Sequence, residues 1–194
     1  MNIKELQAIF MIGETVAVEF KRCGNGIEND TYESVCSFLN RFGGDLFMGV
    51  LDDGTVIGVP EKAAPDMVKN FIKVISNPAL FSPTIYLVPE ILKYDKNRTI
   101  IHVHIPPSAE VHSFKKVIYD RVDDADVKVT ATSAIAQMYI RKTNLIESYG
   151  QLLDFGRKNL PDKFFLEDTV NKSLRNIIVR EMISNTLMHR EFTS

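Results

Sequence analysis

Cysteine is scarce in this 194-residue chain: Cys23 and Cys36 are the only two, and they show no paired-thiol spacing. A disulfide framework is therefore excluded, and free, buried thiols in a reducing compartment are expected. Long apolar runs are missing too. No window approaches the roughly eighteen residues a membrane span needs. The opening Met1-Asn2-Ile3-Lys4-Glu5-Leu6 carries an acid and no extended apolar stretch, unlike a secretory signal, so a cytoplasmic protein is expected. Charge of one sign is also lacking: 23 Lys+Arg against 25 Asp+Glu give a formal charge of −2. That excludes a globally basic nucleic-acid binder and leaves room only for a local basic patch. There is no phosphate-loop lysine motif. Gly24-Asn25-Gly26 has no third glycine in register and no helix directly behind it, so a dinucleotide site is excluded. No repeat or low-complexity segment interrupts the chain.

What is present is enough for an ordinary core, with 45% hydrophobic and 25% charged residues. Ile3, Leu6, Ile9 and Phe10 have helical period, broken by Gly13. Val16 to Lys21 alternates as a strand, with Glu19 and Lys21 on its polar face. Asp30 or Thr31 caps a helix over 32–41, ended by Gly43-Gly44. Leu46 to Leu51 reads as a strand covered on both faces. Asp52-Asp53-Gly54 turns it into a return strand, Thr55 to Val59. Pro65 opens a helix to Ser76, and strands follow over 84–94, 99–105 and 116–121, then a helix from Thr130 or Thr132 to about 138. From 143 the pattern is helical, over 145–158 and from Leu174 onward. The reading is an α+β fold, with a mixed, largely antiparallel sheet packed with helices and followed by a helical tail. Its domains are 1–142 and 143–194.

Three clusters bear on chemistry. Glu14, Glu19, Asp52 and Lys21 meet at one edge if Glu14 lies in the turn before its strand and the two strands are neighbours. Hard divalent cations take oxygen ligands of this kind, and such a metal activates water for phosphodiester attack. Mg2+ or Mn2+ would be the cofactor; an ordinary solvated strand face and a hairpin aspartate are the plainer alternative. Second, Lys115, Lys116, Arg121, Lys128, Arg141 and Lys142 can gather into a basic surface, with Lys21, Arg22 and Arg41 as further phosphate contacts. Third, His102 and His104 share a strand face, but no third ligand is near in sequence, so packed histidines are expected. Asp123, Asp124 and Asp126 lack the glycine and the distal glutamate of a calcium loop.

Glu14-x4-Glu19-Phe20-Lys21, then Ser37-Phe38-Leu39-Asn40-Arg41-Phe42-Gly43-Gly44, then Phe47-Met48-Gly49-Val50-Leu51-Asp52-Asp53-Gly54-Thr55-Val56-Ile57-Gly58 strongly resembles the Schlafen-type divergent AlbA domain. The match runs over about 12–60, with weaker similarity through 116–121 and 138–141. The resemblance implies an α/β fold in contact with DNA or RNA. Bacterial members are described as transcriptional regulators or RecG-helicase-like ATP-binding proteins. Mammalian relatives cut structured RNA with three carboxylates, which fall here on Glu14, Glu19 and Asp52. Leu51 departs from the pattern, because many bacterial members carry a further acid there.

Glu181, Asn185 and His189 form an i+4 stripe. Glu181-Met182-Ile183-Ser184-Asn185 with His189-Arg190-Glu191-Phe192 resembles the first ATP-binding motif of the histidine-kinase/gyrase-type ATPase. That resemblance implies that Glu181 would handle the attacking water and Asn185 the magnesium, in a longer protein only. The later glycine-rich boxes are missing, the stop at Ser194 reads as a truncation boundary, and no ATP binding is expected of these residues. The functional expectations, in order, are a nucleic-acid-binding regulatory module, a metal-dependent nuclease, and a non-catalytic scaffold. No membrane partner is expected, and self-association is left open.

Overall fold

Alternation and helical periodicity organise the first 140 residues around one sheet. The computed structural model describes residues 3–24, 26–143, 164–167 and 170–173. Contacts divide the chain into two units, 1–139 and 140–194. The first unit begins with helix α1 (Ile3–Ile12), strand β1 (Val18–Lys21), helix α2 (Asn29–Asn40) and strand β2 (Gly44–Met48). Next come α3 (Ala64–Ile75), β3 (Phe81–Ser82), β4 (Glu90–Lys93) and β5 (Thr99–Ile105). The unit continues through β6 (Ser113–Phe114), β7 (Ile118–Val122), β8 (Ala125–Val129) and a helix over 132–143, within which the division falls. The fold is α+β.

The central sheet has the order β1-β2-β5-β4. β1 and β2 are parallel, with α2 as their crossover, while β5 is antiparallel to both β2 and β4. Period-two alternation sends Phe20, Phe47 and Ile100 to one face, where Leu6 and Phe10 of α1 cover them. Phe10 meets Phe20 and Phe47 edge-on, at centroid distances of 5.5 and 5.2 Å. Leu46, Met48, Ile101 and Val103 face the other way, into a larger core with Val35 and Phe38 of α2 and Met67, Phe71 and Ile75 of α3. Glu19 pairs in register with Leu46, so the polar face of β1 turns toward α2 rather than to solvent.

Several expected strands are shorter than the hydrophobic pattern suggests. The return after the 52–54 turn makes only isolated bridges, Val50 with Val56 and Val59 with Thr99. The amides of Ile57 and Gly58 both donate to the Gly49 carbonyl, which bends the segment out of the ladder. Residues 84–94 contribute only Glu90–Lys93, since Pro83 and Pro89 offer no N–H to a ladder. In the second unit, β9 (Phe164–Glu167) and β10 (Val170–Ser173) form an antiparallel pair where the expected tail was helical. Aromatic and β-branched residues favour that outcome. The helices expected over 145–158 and from Leu174 lie outside the described residues. Among the described residues, no helix is long and apolar enough to cross a membrane.

The Ser37–Gly44 motif is explained by packing. Asn40 is fully buried at the end of α2. Its amide donates to the carbonyls of His112 and Tyr119, both at 2.8 Å, and its Oδ1 accepts from the His112 amide at 2.7 Å. Gly43 has φ +78°, and a Cβ there would stand 2.5 Å from the Ile105 carbonyl oxygen, so the turn requires glycine. Its amide closes the helix on Phe38, leaving an anion no claim on it. Asn40→Ala removes the side-chain donor from the Tyr119 carbonyl and the acceptor from the His112 amide, and leaves the His112 carbonyl with only the weak Cys36 thiol donor. It should destabilise the domain by about 3 kcal/mol in urea unfolding.

Candidate functional site

The site is a charged corner where β1, the start of α2 and the β7–β8 hairpin meet. The hairpin is set by its two-residue turn, Asp123-Asp124, which places Arg121 opposite Asp126. Arg121 is fully buried. Its guanidinium forms ion pairs with Glu19 at 2.5 Å and Asp126 at 3.0 Å, and donates to the Thr15 carbonyl at 3.0 Å. It also lies over the Phe38 ring, 4.8 Å from the centroid. Asp126 in turn accepts from Ser34, at 2.6 Å, and from Ser37, one turn apart on α2. The other oxygen of Glu19 accepts from Lys21 Nζ at 2.5 Å, and Asp30 stands 3.5 Å from the same ammonium. Burial works against the Lys21 charge, but Glu19, Asp30 and Asp126 outweigh it and raise its pKa.

Glu14 lies ahead of β1, so the condition for its approach to Glu19 is met, and it accepts from the Phe20 amide at 2.9 Å. Burial, helped by the charges of Glu19 and Asp52, pushes its carboxyl above the usual range; the Phe20 amide and Lys21 pull it back only in part. Asp52 is exposed. Its turn is anchored to α1, with Gly54 so close to the Phe10 carbonyl that a Cβ would stand 2.1 Å from the oxygen. Glu19 instead faces α2. The three carboxylates thus share an electrostatic neighbourhood but do not converge. Among the described residues, no three histidine, cysteine or acidic side chains are grouped to hold a metal ion.

The expected phosphate contacts divide by accessibility. Arg22, Lys115, Lys116 and Lys128 are exposed. Lys115 reaches Asn29 at the start of α2, at 2.8 Å. Arg41 is partly exposed and pairs with Asp120 at 3.3 Å. Lys21 has only 16% of its side chain exposed. Arg121 is a correction: a guanidinium with no solvent access cannot meet a phosphate, because the hairpin register turns it inward. Lys142 is likewise buried, and Arg141 belongs to the second unit. Glu181 and Asn185 lie outside the described residues.

Sequence reasoning missed Asp126, Ser34 and Ser37. The sequence pattern around Asp126 offers no more than an incomplete calcium loop; the turn signal in Asp123-Asp124 is what points to its pairing with Arg121. The histidine pair finds its third partner across the sheet: His102 Nε2 and His104 Nδ1 lie 2.8 and 3.1 Å from Asp45 Oδ1. Burial opposes the Asp45 charge, but these two hydrogen bonds prevail and lower its pKa. Both cysteines are free and buried, and burial pushes the Cys23 thiol up to about 11 and that of Cys36 to about 12.

The Schlafen, AlbA_2 family model matches residues 14–130, from Glu14 through the β7–β8 hairpin. The chain belongs to this family. Among solved structures, the Schlafen-type unit is similar to the DIP2311 protein from Corynebacterium diphtheriae, at 18% identity and TM-score 0.46. That match covers 66% of this chain but 29% of that one, so the chain spans under a third of its length. It is also similar to the N-terminal domain of a RecG-related protein from Nitrosomonas europaea, at 17% identity and TM-score 0.41, covering 66% of this chain and 91% of that one. No protein with a curated description matches the chain.

Two pH effects follow. Glu14→Gln keeps the acceptor for Phe20 and removes a charge that the fold disfavours. A raised folded pKa makes ionisation costly, so the variant's stability advantage should grow as pH rises above about 4 and vanish below it, in urea unfolding. Asp45 has the opposite sign. Its contribution is present above its unfolded value of about 3.9 and is lost as pH falls through the lower folded value; Asp45→Asn should therefore cost stability at neutral pH and little in strong acid.

Proposed function

We propose that this Schlafen-type domain is a nucleic-acid-binding module of a bacterial cytoplasmic transcriptional regulator, and that it binds rather than cuts. Family membership over 14–130 supports the nucleic-acid role. The observation that favours binding over cleavage is the state of Glu19: both of its oxygens are committed, one to Lys21 and the other to Arg121. A metal bound through either oxygen would compete with the cation already paired there. Contact with the phosphate backbone then falls to the exposed cations Arg22, Lys115 and Lys116, where the end of β1, the start of α2 and the β6–β7 turn lie together, with Lys128 on the hairpin. In a longer protein, the module would pass its binding state to a nucleotide-dependent C-terminal part.

Binding of this kind is salt-sensitive. Replacing Lys115 and Lys116 with alanine should weaken binding to DNA or RNA and reduce the slope of log K against log salt by about 1 to 2, measured by fluorescence anisotropy. Unchanged affinity and slope would remove these lysines from the interface; no binding to either nucleic acid at low salt would end the reading.

The nuclease reading has one observation in its favour, the mutual electrostatic influence of Glu14, Glu19 and Asp52. It requires manganese- or magnesium-stimulated cleavage that Glu19→Gln abolishes in a folded protein. Cleavage with that profile would replace the binding reading.

A further inference from the structure

The charged corner holds more acid than base. Glu19, Asp30 and Asp126 act on Lys21, Glu19 and Asp126 pair with Arg121, and Glu14 lies in the field of Glu19; Lys21 and Arg121 are the counter-charges paired with these acids among the described residues. In many proteins such a cluster is neutralised by a bound cation. Here the positive charge is built in, and it arrives from two directions. Lys21 comes from the same strand as Glu19 and reaches its outer oxygen near the surface. Arg121 comes from a hairpin about a hundred residues away in sequence and reaches the inner oxygen from a fully buried position. Its second amino group takes Asp126, which is itself fixed by Ser34 and Ser37. The same guanidinium lies within hydrogen-bonding distance of the Thr15 and Val18 carbonyls, so it also holds the turn that carries Glu14 into β1.

We propose that Arg121 is the positioning residue of this corner. It acts through Glu19, supplies from within the fold the positive charge that a divalent cation would otherwise provide, and so makes nucleic-acid contact by the domain independent of metal. This rests on the binding reading above for its functional half; the charge half stands by itself. A planar guanidinium suits the task because it serves two carboxylates and a carbonyl at fixed angles, which an ammonium cannot do. Arg121 touches no ligand, and its loss is felt as an acidic corner left without its counter-ion.

The test has two arms on the full chain. In the first, manganese(II) is titrated without nucleic acid and followed by electron paramagnetic resonance. Wild type should leave the metal free, and Arg121→Met should bind it at the carboxylates the guanidinium no longer pairs, Glu19 and Asp126. Lys21→Met removes the outer counter-charge from the same carboxylate and should also gain metal; it serves if Arg121→Met does not fold. In the second arm, binding of labelled duplex DNA and hairpin RNA is measured in chelator and in millimolar manganese(II). Wild type should bind equally in both. Arg121→Met should bind about tenfold more weakly in chelator and regain most of that with metal. Arg121→Lys should restore metal-independent binding only in part. A folded Arg121→Met that gains no manganese, or a wild type that binds manganese as well as the variant, overturns the proposal. So does a variant equally weak with and without metal, since that marks a merely structural role. Failure of wild type to bind any nucleic acid would overturn the binding reading, and the manganese arm would still decide this one.

Discussion

A guanidinium cut off from water must find its charge balance inside the protein, and Arg121 draws much of the domain around that requirement. Burying an ion costs several kcal/mol unless it is paired and its remaining donors are satisfied. Arg121 is paired with Glu19 from β1 and Asp126 from its own hairpin and donates to backbone carbonyls from the turn before β1, while its Nε is left without a hydrogen-bond partner. Each partner is thereby fixed in turn. Glu19 faces α2 because register places it beside Leu46, and Asp126 is taken up by two serines on successive turns of α2. The ion cluster thus joins β1, α2 and the β7–β8 hairpin at this corner.

Asn40 does comparable work with neutral bonds. It closes the far end of α2 onto the chain at His112 and Tyr119, while Arg121 and Asp126 hold the helix nearer its start. The β7–β8 hairpin is held along the helix at both places, and the Tyr119 hydroxyl donates to Glu33, one residue before Ser34. Residues that look functional in a motif can therefore be architectural. In Ser37-Phe38-Leu39-Asn40, the serine and the asparagine are both turned inward on the hairpin.

The sheet was legible in the sequence where local pattern decides the outcome. Thr99–Ile105 alternates and lies between turns, and it forms the strand expected of it. Helices α1, α2 and α3 follow their apolar period to within a few residues. The pattern failed where pairing, not propensity, decides. Residues 84–94 are apolar enough for a long strand, but prolines limit the ladder to four residues. At the site, Glu19 and Lys21 were legible from one strand's polar face and Glu14 from its place just ahead of that strand. Asp126 was not, because its role depends on a pairing with Arg121 and on a helix nearly ninety residues earlier in the chain. The direction in which Arg121 points could not be read either: a surface cation and a buried one look alike until the hairpin's register is known.

The corner therefore cannot exist without the β7–β8 hairpin in place. Its members come from positions 14 to 37 and from 121 to 126, so no fragment that stops short of the hairpin can contain it. Closing a loop of that length is entropically costly, and it is repaid only when the apolar contacts of both segments form together. During synthesis, the acids of β1 and α2 emerge from the ribosome long before their buried counter-charge. Until the hairpin is made, Glu19 has no buried cation to pair with, and the complete domain is the first length of chain that can supply one.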